Sequence, residues 1–121
     1  RAGCDGGRPA VTLVRGERAT ATLLPAGVKS LAIAGGIEAP PLGWHAAANG
    51  DWRPAPVVVI RTAGTLPLLT GYALVPRTGV VRGDLRLQAD AFELKASVRL
   101  DDIVYELTAV QDEVGLVTRP A

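Results

Sequence analysis

The residues best suited to chemistry lie in the stretch GWHAAANGDWR, which runs from Gly43 to Arg53 and holds both tryptophans and the single histidine. Flat aromatic faces stack on sugar rings, and imidazole or guanidinium groups bind hydroxyls and carboxylates. Residues of these types in one surface loop indicate carbohydrate binding or docking on another domain. The candidates for this role are Trp44, His45, Trp52 and Arg53. The structural alternative is that Trp44 closes one end of the core and His45 is an ordinary loop residue.

Catalytic and metal-binding chemistry has little support in the sequence. The imidazole of His45 is of a type that acts as a general acid or base near neutral pH. Neither Ser30 nor Ser97 lies in a nucleophile-elbow pattern that would use it. The one histidine and the one cysteine, Cys4, lie far apart in the chain and lack the spacing of a metal site. We therefore predict no catalytic residue, no metal site and no cofactor.

Composition is typical of one globular domain with an aliphatic core. The 121 residues are 48% hydrophobic but only 4% aromatic. Their 13 basic and 12 acidic residues are spread along the chain, which argues against a nucleic-acid partner. No apolar run reaches the ~18 residues of a membrane-spanning helix. The sequence begins RAGCDGG without an initiator methionine or a signal segment, so we expect a processed piece of a longer protein.

Alternating apolar and polar residues predict an all-β fold. The clearest runs are Phe92 to Leu100 and Ile103 to Val110, which flank Asp101-Asp102 and predict a hairpin. Further strands are expected at Ala10–Val14, Ala19–Leu24, Ser30–Ala34, Val57–Arg61, Leu66–Val75, Asp84–Gln88 and Leu116–Arg119, with a short segment at Val80-Val81. We predict a single domain over residues 1–121, an antiparallel β-sandwich of about eight to ten short strands. Its longest non-strand region is expected from Gly35 to Pro56.

The stretch from residue 43 to residue 76 resembles part of the C-terminal β-domain of heparinase II/III-like polysaccharide lyases. In that family a Gly-Trp pair begins a loop, a Pro-Ala-Pro-like segment leads into an apolar strand, and a later strand closes with proline. The matching residues are Gly43, Trp44 and His45, then Pro54, Ala55 and Pro56, then Leu74, Val75 and Pro76. The departures are Ala46, where the family often has serine, and Asn49-Gly50 in place of an aromatic-Gly pair.

This resemblance implies a helical toroid upstream, a β-sandwich downstream, and β-elimination on uronic-acid polysaccharides in the full-length protein. It also implies a periplasmic or secreted location. In the family the catalytic groups come mainly from the toroid and the early strands of the β-region, so no catalytic residue is transferred to this chain. The expected partners are the toroid of the same protein and an acidic polysaccharide, with this domain inactive by itself as a scaffold or cleft rim.

Two other functions stay open from the sequence. One is a non-catalytic carbohydrate-binding module, which would use the same aromatic residues. The other is a structural or oligomerising β-domain, for which unpaired edge strands would be the contact.

Overall fold

The computed structural model describes residues 2–5, 8–110 and 113–121. Within these ranges the chain forms twelve strands and no helix, and none of the described residues belongs to a helix that could cross a membrane. Every pair of strands is antiparallel, so the predicted all-β antiparallel class is confirmed. The strands are β1 Ala2–Asp5, β2 Arg8–Arg15, β3 Arg18–Ala26, β4 Ser30–Ala34, β5 Trp44–Ala48, β6 Asp51–Pro54, β7 Val57–Arg61, β8 Gly71–Val75, β9 Gly83–Ala89, β10 Glu93–Leu100, β11 Ile103–Val110 and β12 Glu113–Pro120.

Two four-stranded sheets make up most of the fold. The first has the order β1-β2-β3-β8 and the second the order β12-β11-β10-β9, while β4 with β7 and β5 with β6 form two-stranded sheets. The second sheet is a meander in which each strand pairs with the next along the chain. Its β10–β11 hairpin turns at Asp101, whose φ is 50°. Aspartate tolerates this left-handed conformation better than most residues, and two-residue hairpin turns require it. The predicted acidic turn is therefore confirmed.

A small core lies where β3 of the first sheet meets β9 of the second. The buried hydrophobic side chains of the described residues are Val11, Leu24, Ala26, Val81 and Val104. This core leaves much surface in solvent: the chain exposes 8977 Å² at a mass of 12.5 kDa, whereas a monomeric protein of that mass exposes about 6,200 Å².

The second sheet has one apolar face and one polar face. Strand pairing sets Ala96 opposite both Leu87 and Leu107, and Leu107 opposite Leu116. The apolar face is formed by Leu85, Leu87, Leu94, Ala96, Val98, Tyr105, Leu107, Ala109, Val114 and Leu116. The first sheet covers this face only in part, because a groove of about 390 Å³ remains between β8 and the apolar face. The two sheets thus contact each other without closing over the whole apolar face.

Ion pairs hold the polar face of the second sheet. One group of ion pairs surrounds Asp84 of β9, which is 7% exposed. Its Oδ1 accepts hydrogen bonds from Nε and Nη2 of Arg99 at 3.1 and 2.9 Å, and its Oδ2 accepts one from Nε of Arg86 at 3.2 Å. At the other side of the sheet, Nη2 of Arg119 on β12 donates to Oε1 of Glu106 on β11 at 2.9 Å. The polar face therefore links adjacent strands through charge-assisted hydrogen bonds.

The described residues form twelve strands where about eight to ten were expected, and three predicted segments have a different structure from the one expected. The expected loop from Gly35 to Pro56 contains the β5–β6 hairpin. The expected strand Leu66–Val75 is reduced to Gly71–Val75, because Pro67 has no N–H for a strand ladder and the residues before position 71 are exposed. Val80-Val81 lies outside the strands, although the side chain of Val81 is buried.

The turn between β9 and β10 is closed by the carboxylate of Asp90. Oδ1 of Asp90 accepts hydrogen bonds from the backbone N–H groups of Phe92 and Glu93, both at 2.8 Å. These bonds lower the pKa of the Asp90 carboxyl, and the hydrogen bond from Arg119 lowers the pKa of Glu106. A lowered folded-state pKa adds stability that is present above the unfolded pKa and is lost as pH falls through the folded pKa.

We therefore expect the free energy of unfolding to decrease as pH falls below about 4. Urea denaturation, followed by circular dichroism between about pH 7 and about pH 2, measures this decrease. Asp90→Asn keeps the accepting oxygen but removes the charge, so it should flatten the decrease. An acid decrease of the same size in wild type and Asp90→Asn would contradict the assignment.

Candidate functional site

All four candidate residues lie on the β5–β6 hairpin. Its two-residue turn is Asn49-Gly50, and Gly50 has a φ of +81°. The register sets Trp44 opposite Pro54, His45 opposite Arg53, and Ala46 opposite Trp52. Because directly opposite residues share a face and neighbours along a strand alternate, the two tryptophans lie on one face of the hairpin. His45 and Arg53 lie on the other face.

The indole of Trp44 is held in place by the loop before the hairpin. Its Nε1–H donates to the carbonyl oxygen of Ile37 at 2.8 Å. Its ring lies close to Gly36, where an added Cβ would be 3.9 Å from Cζ2 of Trp44 and 3.2 Å from Cβ of Pro54. Trp52 has a different environment, since it is 64% exposed. One aromatic ring is therefore fixed and the other is presented to solvent.

Gly43 connects this loop to the hairpin. Its carbonyl oxygen accepts hydrogen bonds from the N–H groups of Gly36 at 2.9 Å and Ala55 at 2.8 Å. Ile37 and Leu42 exchange two backbone hydrogen bonds, both of 3.0 Å, and so close the loop on itself. The φ of Gly43 is +73°, and an added Cβ would lie 2.6 Å from Cα of Gly35. Only glycine fits this position without displacing the backbone.

A concave surface, the Trp cavity, lies between the loop and the hairpin. Its volume is about 540 Å³ and its lining residues are Glu38, Pro41, Leu42, Gly43, Trp44 and Trp52. This volume is in the range of small-ligand sites, and the lining is mainly apolar with one carboxylate. The two tryptophans are diagonal neighbours in the strand pair, a spacing within reach of two aromatic side chains. The Trp cavity therefore offers flat apolar faces beside a hydrogen-bond acceptor.

The opposite face of the hairpin carries the other two candidates. Nε and Nη2 of Arg53 donate to Oδ2 of Asp51 at 3.0 and 2.7 Å, and both side chains are largely exposed. The ion pair offsets the charge of Arg53, and His45 is exposed beside it. Neither residue lines the Trp cavity. The structure thus divides the four candidates into an aromatic pair at the cavity and a polar pair behind it.

The residues described by the structure hold no group of three or more histidine, cysteine or acidic side chains that could bind a metal. The side chain of Cys4 lies outside the described part. Comparisons with protein-family models, with curated proteins and with solved structures find no significant match for this chain. The resemblance to heparinase II/III-like lyases therefore remains a prediction from the motif residues.

Sequence reasoning did not identify the rest of the cavity lining, namely Glu38, Pro41 and Leu42. A signal for the hairpin is present, because Asn-Gly is the strongest short-range indication of a two-residue turn. Pairing strands on both sides of Asn49-Gly50 would have brought Trp44 and Trp52 to one face. The position of Glu38 has no comparable signal, since it depends on the backbone pair between Ile37 and Leu42.

Proposed function

We propose that this chain is the non-catalytic β-domain of a heparinase II/III-like polysaccharide lyase and that its Trp cavity contacts the polysaccharide. The observation that carries the binding part is the exposed ring of Trp52 beside the fixed ring of Trp44 in one cavity. Support for the family part comes from the motif residues, because Gly43 and Trp44 line the cavity and Pro54 lies against Gly36 of the loop beside it. In the full-length protein, β-elimination would be performed by residues outside this chain.

The chemistry of the Trp cavity suits the ring faces and hydroxyls of a sugar. A pyranose ring stacked on Trp52 removes apolar surface of both groups from water. The carboxylate of Glu38 can accept hydrogen bonds from sugar hydroxyls at the same time. A uronate carboxylate is not matched by a cation in the lining, and the charge of Arg53 is already offset by Asp51. The proposed contact therefore recognises the sugar rings rather than their acidic groups.

Isothermal titration calorimetry with defined oligosaccharides of heparan, alginate and neutral glycans tests the contact. We expect Trp52→Ala to weaken binding by about tenfold or more, because about 1.4 kcal/mol corresponds to the burial of roughly 60 Å² of apolar surface. The matched control is Tyr72→Ala, since Tyr72 and Trp52 are both 64% exposed and Tyr72 lies away from the cavity. Equal loss in the two variants, or no binding to any of the glycans, would contradict the proposal.

A free-standing carbohydrate-binding module is the second candidate, and the same cavity supports it. The two candidates differ in ligand class. A lyase domain should bind uronic-acid polysaccharides, whereas binding restricted to neutral glycans would retain the cavity contact and exclude the lyase assignment. The purified chain should generate no unsaturated uronate products in either case, because the proposed domain is non-catalytic. Formation of these products, followed by ultraviolet absorbance, would show that the catalytic residues lie within it.

A further inference from the structure

Strand β12 forms an open edge of the second sheet. It pairs with β11 along its full length without a register shift, and no described strand lies on its other side. All of its side chains are exposed. The unpaired N–H and C=O groups of such an edge are a template for another strand. The usual protections against pairing are weak in β12, since it has no lysine and its proline is the final residue.

We propose that β12 pairs with β12 of a second copy of this chain, antiparallel about a two-fold axis at Leu116. The two second sheets then join into one sheet of eight strands. This inference goes beyond the proposed carbohydrate contact and does not depend on it, because the Trp cavity lies on a different two-stranded sheet.

The faces of the sheet limit the register of this pairing. Val114 and Leu116 belong to the apolar face, and the odd-numbered positions of β12 belong to the polar face. Directly opposite residues share a face, so a continuous apolar face requires even-numbered positions to oppose even-numbered positions. Complete overlap of the two strands would set Glu113 opposite Pro120 and violate this condition. A shift of one residue in either direction restores it.

Charge and backbone chemistry select one of the two shifts. With Leu116 on the axis, Glu113 of each copy lies opposite Arg119 of the other. In the same register Val114 opposes Thr118, and Gly115 leaves space for Val117. The alternative shift, with Val117 on the axis, leaves Arg119 opposite Gly115 and sets Pro120, which has no N–H, opposite Val114. Opposite charges directly across a strand pair stabilise it, so the register centred on Leu116 is preferred.

The exposed surface is large enough to accommodate a second copy. The chain exposes 8977 Å², which exceeds the value for a monomer of its mass by more than the about 800 Å² that each partner buries in a standard interface. Leu116 is 65% exposed and lies beside Leu107 of β11. Pairing at this edge therefore joins two apolar faces side by side.

Cysteine cross-linking tests the register directly. In a Cys4→Ser background, Leu116→Cys sets two thiols opposite each other on the axis, within the Cα separation of about 4.4–6.8 Å that a disulfide spans. Val114→Cys is a matched control on the same face, with exposures of 68% for Val114 and 65% for Leu116. Its two thiols would lie about 13 Å apart along the strands. We expect a covalent dimer from mild oxidation of Leu116→Cys only. Equal cross-linking of both variants, or cross-linking of neither, would overturn the proposal.

Exchange of charges gives a second test by multi-angle light scattering at matched concentration. Glu113→Arg and Arg119→Glu each set like charges across the axis, so each should shift the wild-type dimer to monomer. An equimolar mixture sets opposite charges at both positions and should recover the dimer mass. Circular dichroism checks that Arg119→Glu, which also removes the Glu106 ion pair, keeps its strands. A monomeric wild type, or a mixture that stays monomeric, would refute the pairing, and Trp52→Ala should leave the dimer unchanged.

Discussion

Gly43→Ala is expected to destabilise the chain by about 3 kcal/mol or more and to abolish the Trp cavity. The left-handed φ of +73° alone costs an L-residue about 1–2 kcal/mol. In addition, the new Cβ would lie 2.6 Å from Cα of Gly35 and 2.7 Å from the carbonyl oxygen of Ala55. Both are backbone atoms, so no side-chain rotation relieves the contact. The loop carrying Glu38 would separate from the hairpin.

The matched control for this substitution is Gly50→Ala in the hairpin turn. Gly50 also has a positive φ, +81°, but an added Cβ would meet no atom within 4 Å. We expect Gly50→Ala to cost only about 1–2 kcal/mol, from backbone strain alone. Urea denaturation measures both values. The indole N–H of Trp44 donates to the carbonyl oxygen of Ile37 in the loop, so its hydrogen-exchange rate measures how often the loop opens. We expect this rate to rise in Gly43→Ala. Equal destabilisation by the two variants would show that the close approach at Gly43 is unimportant.

Asp84→Ala is expected to cost about 3 kcal/mol, the second large effect in this chain. The carboxylate is 7% exposed and accepts hydrogen bonds from two arginines. Its removal leaves the guanidinium of Arg99 without the oxygen, Oδ1, that accepts both of its hydrogen bonds. Arg99 and Arg86 remain about half exposed or more and regain some hydration. The expected cost is therefore below that of breaking a fully buried pair.

An exposed aspartate–arginine pair in the same chain provides the comparison. Asp51 and Arg53 are joined at 2.7 Å, but their side chains are 45% and 69% exposed. Such pairs contribute about 0–1 kcal/mol, so Asp51→Ala should change the free energy of unfolding little. Denaturant titration of both variants in low and high salt separates the two cases. A cost for Asp84→Ala that is no larger than that for Asp51→Ala would mean that the polar face is held by strand pairing alone.

Much of the second sheet could be predicted from sequence because its strands have one apolar and one polar side. The expected β10 begins one residue early, at Phe92, and the expected β11 has the observed bounds. The bounds of β4 and β7 were also predicted, and these two strands pair with each other. Period-two alternation records which side of a strand faces the protein interior. Alternation does not indicate which strands are neighbours, so the order of strands in each sheet is known only from the structure.

The β5–β6 hairpin could not be predicted from the alternation of apolar and polar residues. Strand β5 reads Trp-His-Ala-Ala-Ala, which alternates little, and a register shift between Ala46 and Ala48 interrupts the period. The four candidate residues lie near one another in sequence, but only pairing across the turn separates the aromatic pair from His45 and Arg53. The role of Gly43 depends on contacts with Gly35 and Ala55 that no local pattern encodes.

The order of strands in the two sheets also bears on how the chain assembles. In the second sheet each strand pairs with the next one along the chain, and Leu100 pairs with Ile103 across the turn at Asp101-Asp102. In the first sheet β3 pairs with β8, although strands β4 to β7 lie between them in the chain. Leu23, for example, pairs with Leu74. The entropy lost on closing a loop rises by about 0.6 kcal/mol with each doubling of its length, and distant pairings slow folding. The second sheet can therefore form before β3 pairs with β8. Its strand β9 then provides a surface against which β3 and β8 can pack and pair.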